Sequence, residues 1–163
     1  MALFKVMNGK DKYRNADTKE KLIEYAFRQD KAIHRYIGGI GVSVETAAED
    51  MHRISEEFGK PDGVQARHYV ISFTKQELQD AALADLIGQN VINYIGREYQ
   101  AVYSVHEDKA YLHIHIIANS VSFVDGHRCR GKRREFRELM HEIEAIIKTF
   151  GINRLMYISR KEK

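Results

Sequence analysis

With 163 residues, 44% hydrophobic and 30% charged, the chain has the composition of a soluble globular protein and enough apolar side chains for one core. No apolar run approaches the length of a membrane span and no signal-peptide pattern opens the chain, so a membrane partner is not expected. The single Cys129 cannot close an internal disulfide, which makes a reducing cytoplasm the expected compartment, and a net charge of +3 is too small to indicate a nucleic-acid partner by itself.

Residues 2–7 predict a short first strand. Asp17 with Glu20 three residues on marks a helix start, and the helix is expected to run to about Arg28 with Leu22, Ile23, Ala26 and Phe27 on its apolar side and Tyr25 at the border. The run Gly38-Gly39-Ile40-Gly41 is expected to break the pattern. A second helix is expected from about Glu45 to Phe58, where Ala47, Met51, Ile54 and Phe58 keep helical spacing and Gly59 stops it. Residues 67–73 predict a strand, and Thr74 with Glu77 forms a capping box expected to open a long helix carrying Leu78 through Ile95.

Two further strands are expected at 99–106 and 111–122. Only six residues separate His106 from His113, too few for a crossover helix, so the two strands are expected to form an antiparallel hairpin. Asp125-Gly126 is a turn signal, and an amphipathic helix is expected from about Arg133, followed by a short strand at 155–158. The expected fold class is α+β, a central, mainly antiparallel sheet flanked by helices.

The hairpin carries the chemistry. Side chains alternate along a strand, so His113 and His115 share one face with Ile117, while Ile114, Ile116 and Ala118 share the other. If the apolar face packs on helices, the histidines are left on a polar, accessible face, with His106 brought beside His113 by the hairpin. Three neutral imidazoles can hold one divalent metal and leave open positions for water or substrate. Asp108, in the turn, could orient a ligand histidine. A second signal is charge: Arg128, Arg130, Lys132, Arg133, Arg134 and Arg137 fall within ten residues, a run that suits DNA phosphates. Cations at a helix start oppose the macrodipole, so Arg133 and Arg134 are expected there for a functional reason.

The segment His106-x-Asp108-(x)4-His113-x-His115-(x)3-Asn119 resembles the metal motif of conjugative and mobilisation relaxases of the MobP class, in the HUH endonuclease superfamily. The helix ending Ile23-Glu24-Tyr25-Ala26-Phe27-Arg28 is similar to the family's N-terminal tyrosine segment, and His68-Tyr69-Val70-Ile71-Ser72-Phe73 to its strand ending in Ser-Phe. The likeness covers roughly residues 15–150. It implies an RRM-like relaxase fold, with residues 1–163 as one nicking domain forming the N-terminal catalytic part of a longer protein.

The implied activity is metal-dependent, strand-specific nicking at an origin of transfer, for conjugative transfer of a plasmid or integrative element. A tyrosine becomes joined to the 5′ end and a 3′-hydroxyl is released. Tyr25 is the expected nucleophile, with Tyr36 next and Asp108 assisting. His106, His113 and His115 would hold Mg2+ or Mn2+, and Arg128, Arg130, Lys132, Arg133 and Arg134 would bind DNA. His68 and Asn119 are candidates to line the site. The expected partners are single-stranded or hairpin origin DNA and other transfer proteins, in a bacterial cytoplasm. HUH replication initiators and transposases are the nearest alternative, but many carry the tyrosine on a late helix, and residues 133–150 contain none. A three-histidine enzyme acting on small molecules is a more distant one.

Overall fold

In the computed structural model, which describes residues 1–7, 12–28, 30, 32–107 and 110–159, six strands form one sheet. In chain order the elements are β1 (Ala2–Met7), α1 (Thr18–Ala26), β2 (Ala32–Ile40), a 3₁₀ turn (Val44–Thr46), α2 (Ala47–Glu57) and β3 (Ala66–Ser72). They continue with α3 (Ala81–Ile95), β4 (Ala101–His106), β5 (His113–Asn119), α4 (Arg133–Lys148) and β6 (Leu155–Ser159). The strand order is β2-β4-β5-β3-β1-β6. Every neighbouring pair is antiparallel except β1 and β6. The expected α+β class and mainly antiparallel sheet therefore hold.

Strand parity divides the side chains between two helical layers. Phe4, Tyr69, Ile71, Tyr103, Val105, Ile114, Ile116 and Ala118 face α3 and α4 and form the larger core with Ile87, Val91, Leu139, Ile143 and Ile147. The opposite face was expected to be open. Instead α1 and α2 cover part of it, through a smaller core of Ile23, Ala26, Ala47, Met51, Ala66, Val102 and Ile117. The apolar stripes of both helices need a surface to bury against, and Val102, Ile117 and Ala66 supply it between the polar positions.

Two local signals act differently from expectation. The Thr74–Glu77 box forms, with Thr74 N–H donating to Glu77 Oε1 (3.0 Å) and Glu77 N–H to Thr74 Oγ1 (3.3 Å), but it closes only a turn. Asp80 then caps α3 by accepting from the Ala82 N–H at 2.9 Å. Gly38 and Gly39 sit inside β2 rather than breaking the chain. A Cβ on Gly38 would lie 2.6 Å from the Tyr103 ring, and one on Gly88 of α3 would meet the same ring at 2.6 Å. The two glycines are thus the slot that admits Tyr103, a close approach no larger residue allows.

Helix α1 is pinned by a buried lysine. Lys19 is 1% exposed, and its Nζ donates to Ser55 Oγ on α2 (3.1 Å) and Gln65 Oε1 before β3 (3.2 Å), neither of them charged. Burial pulls its pKa down to about 8. The unfolded chain keeps this proton up to the ordinary lysine range, so between pH 8 and the ordinary value the unfolded state binds more protons and stability rises with pH. Below pH 8 the full cost of the buried charge is present. Urea unfolding from pH 7 to pH 10 is expected to show stability rising relative to Lys19→Met by on the order of 1–2 kcal/mol. Parallel pH profiles for the two proteins would refute this.

Candidate metal centre and active site

The β4–β5 hairpin sets His106 directly opposite His113, and His115 opposite Ser104. One ligand nitrogen from each of the three histidines lies within 4.8 Å of the other two. Ring centroids are 4.1 Å apart for His106 and His115, 5.2 Å for His106 and His113, and 5.1 Å for His113 and His115. The expectation of an accessible polar face needs correction: His106 is 0%, His113 5% and His115 6% exposed, because the end of α1 lies over them. Burial favours neutral imidazoles, the form that binds metal.

The hydrogen bonds fix which nitrogen each ring can offer. A carbonyl only accepts, so His106 Nε2 carries the proton it donates to Ala26 O at 2.7 Å, leaving the lone pair on Nδ1. By the same logic the longer bond from His113 Nδ1 to Tyr111 O (3.4 Å) directs His113 Nε2 inward. His115 Nδ1 is engaged by His68 Nε2 at 2.8 Å, which turns its Nε2 toward the cluster. Three converging imidazole nitrogens fit a divalent ion. The fit extends to the backbone: Ala26 ends α1, so the negative pole of the helix dipole points at the cluster and favours a cation there.

Tyr25 lies over the same cluster. Its ring centroid is 5.6 Å from that of His115, edge-on, and 6.1 Å from that of His106, and the side chain is 37% exposed. The bond from His106 to Ala26 O ties the adjacent residue, so the helix end that carries the phenol is tethered to a histidine of the cluster. Tyr36, the second tyrosine candidate, belongs to β2 and packs against the larger core on the α3 and α4 side. Asp108, expected to assist, lies outside the described residues.

His68, a candidate to line the site, stands on β3. There it pairs with Ile117, two positions from His115, and its ring reaches that histidine diagonally. Burial, and then the neighbouring His106, hold its pKa down at about 4. Only the β3–β5 register reveals the contact, and that register cannot be read from spacing.

Asn119, expected to line the site, lies at the far end of β5, four residues or roughly 13 Å from His115. It is 1% exposed and serves as a joint: Nδ2 donates to Met51 O (3.1 Å) and Gln100 Oε1 (3.0 Å), while Oδ1 accepts from Ser55 Oγ (3.3 Å) and Val121 N–H (3.2 Å). The structure does not bring it to the histidines. Both polar atoms of its side chain are used in joining α2, Gln100 and Val121 to the end of β5.

The basic run is also not gathered at the histidines. Arg128 bridges to Val121, two residues past Asn119, and its Nη2 donates to Lys60 O at 3.1 Å. Burial, Arg14 and Arg67 lower its pKa, so several cations crowd this end of the sheet. Arg130, Lys132, Arg133 and Arg134 are exposed. The last two begin α4, on the sheet face away from the histidines, and Arg134 Nε pairs with Glu138 at 3.1 Å. The Lys132 backbone N–H donates to Glu135 Oε2 (2.9 Å), which places a carboxylate in the first turn and offsets the unfavourable cations.

No helix among the described residues is long and apolar enough to cross a membrane. Solved structures of the MobM relaxase domain (MOBV; Mob_Pre), bound to Mn and to 22-nt plasmid pMV158 oriT DNA, share the fold. The pH 5.5 structure matches with a TM-score of 0.62 at 14% identity, and the pH 4.6 structure with 0.63 at 11%; each comparison covers 93% of this chain and 87% of the other. Two proteins of Staphylococcus aureus, both called Protein rlx, are 28% identical over 124 residues and 25% identical over 142. The matches take in 76% and 87% of this chain but only 37% and 44% of those proteins, so the chain spans less than half the length of these relatives. Residues 19–152, which run from the buried lysine of α1 through the histidine hairpin and past α4, match the family model "Relaxase: MobA/VirD2-like, nuclease domain", and the chain belongs to that family.

Proposed function

We propose that residues 1–163 form one relaxase domain that nicks and rejoins a single DNA strand at an origin of transfer, with Tyr25 as nucleophile. The observation that carries this is the placement of the Tyr25 ring 5.6 Å from His115, over a three-histidine cluster, in a chain of the relaxase nuclease family. In the forward step Tyr25 Oη bonds to the scissile phosphorus and the bond from phosphorus to the 3′ oxygen breaks. The phenolic proton leaves to a base, Asp108 or water, and the departing 3′ oxygen takes up a proton. The product is a 5′-phosphotyrosyl linkage, isoenergetic enough with a phosphodiester for the 3′-hydroxyl to reverse it.

A free tyrosine is only about one part in a thousand phenolate near pH 7, so the attack needs help. A bound divalent ion supplies charge stabilisation at the nonbridging phosphate oxygens. His106, His113 and His115 are the residues that would hold it. An all-imidazole set suits Mn2+ better than Mg2+, which prefers oxygen ligands. Lys60, Arg67, Arg128 and Arg130, at the Asn119 end of the sheet, would meet the DNA backbone some distance from the cleaved bond. Arg133 and Arg134 would contact a part of the DNA that wraps to the other face. By the same reading the domain works in a bacterial cytoplasm with accessory and coupling proteins of transfer.

The test is cleavage of single-stranded oligonucleotides that span the origin on the genetic element encoding the chain, with Mn2+ present. The expected products are an upstream fragment ending in a free 3′-hydroxyl and a downstream fragment joined to the protein through its 5′ phosphate. Binding should weaken steeply as salt rises, as phosphate contacts require. Cleavage that leaves a free 5′-phosphate would reject covalent catalysis, and salt-independent binding would reject the phosphate contacts.

A further inference from the structure

The three-histidine cluster continues outward through a fourth histidine. His68 Nε2 lies 2.8 Å from His115 Nδ1, and on its far side His68 Nδ1 lies 3.4 Å from Tyr13 Oη. His68 is 4% exposed and lies outside the set of three nitrogens that converge. Between two neutral imidazoles one nitrogen must donate and the other accept. If His68 donated, His115 would carry its proton on Nε2 and have no lone pair to offer the cluster. A metal-binding His115 therefore donates from Nδ1, His68 accepts at Nε2, and His68 Nδ1–H points to Tyr13.

We infer that His68 is a positioning residue for the metal centre: it holds His115 in the Nδ1–H tautomer with Nε2 aimed at the ion, and Tyr13 holds His68 in turn. The inference rests on the metal reading of the three histidines given above. The Tyr13 side of the relay is built at a cost. Lys12 and Tyr13 both have positive φ, 55° and 57°, a conformation that non-glycine residues rarely adopt. The Tyr13 carbonyl accepts from Gln65 N–H at 2.8 Å, so the strained turn is locked to the start of the strand that carries His68. The segment before α1 thereby reaches the metal site through two side chains. Partners of this kind orient a ligand ring and raise its basicity, and their loss typically weakens metal binding 10- to 100-fold.

The experiment measures Mn2+ affinity by calorimetry at fixed neutral pH for the unaltered chain and for His68→Leu, His68→Gln and His115→Ala. Leucine keeps much of the volume but cannot accept a hydrogen bond; the glutamine Oε1 reaches a position close to that of the imidazole Nε2. His68→Leu is expected to bind Mn2+ about 10- to 100-fold more weakly, His68→Gln to recover most of that loss, and His115→Ala to lose detectable binding. Equal affinities for His68→Leu and the unaltered chain, with His115→Ala inactive in binding, would overturn the role of His68 alone. Undiminished binding by His115→Ala would overturn the three-histidine reading itself. A second readout needs no substitution. Nitrogen–proton correlation spectra of the unaltered chain loaded with Zn2+ should show the His115 proton on Nδ1, and a proton on Nε2 would overturn the relay even if His68→Leu did not fold.

Discussion

Tyr25→Phe is expected to abolish the covalent protein–DNA adduct while leaving Mn2+ affinity within about twofold of the unaltered chain. The change deletes one oxygen and keeps the ring that packs edge-on to His115, so the cluster beneath it has no reason to move. Loss of a nucleophile removes the reaction path rather than slowing it, and residual adduct below about one part in a thousand is expected where no other hydroxyl takes its place. Tyr111 also lies beside the cluster, its ring centroid 6.1 Å from that of His113, so Tyr111→Phe must be measured alongside. Tyr36 packs on the other core, and burial pushes the pKa of Tyr99 and of Tyr103 well above the ordinary tyrosine value, away from phenolate character. Tyr36→Phe is therefore the matched control and should form adducts at the full rate. Denaturing gels of oligonucleotides labelled at the 3′ end, on the fragment that would carry the protein, give the answer directly. Full adduct formation by Tyr25→Phe would move the nucleophile elsewhere, whatever happens to the metal.

How the site could be foreseen, and where it could not, follows from which distances are local. The six-residue gap between His106 and His113 and the period of two along residues 113–118 are short-range facts, and they predict the hairpin, the shared histidine face and the apolar face against α3 and α4. The tyrosine helix is local too, but its seat over the histidines depends on the bond from His106 to Ala26 O, which joins residues eighty positions apart. The same holds for His68. Its meaning turns on a strand register set by the whole sheet. β2 was hidden because its glycine pair looks like a break; only the ring of Tyr103, from the neighbouring strand, explains it. Asn119 shows the converse. A residue marked by family resemblance as lining the site is, in space, fully occupied in holding α2.

His106→Ala and His113→Ala are expected to differ, and the difference separates the two tasks the cluster performs. Each removes one of three ligands, so both should lower Mn2+ affinity at least 100-fold and stop nicking. Only His106 also donates to the end of α1, through Nε2 to Ala26 O, and it has no exposed surface. Its removal leaves a buried carbonyl without that donor and a void under the tyrosine helix. The cost in metal-free protein should be about 2–4 kcal/mol, against about 1–2 kcal/mol for His113, whose bond to Tyr111 O is long and near the turn. Urea unfolding in the presence of chelator measures both. Helix α1 should also become the more easily opened element in His106→Ala alone, seen as faster amide exchange from Ile23 to Ala26. The order follows from the proposed roles and the geometry together: His106 would face the metal through Nδ1 while its Nε2 holds the helix that carries Tyr25. Equal destabilisation of the two variants, or unchanged exchange in α1, would separate the metal site from the tyrosine and leave their proximity without a mechanical cause.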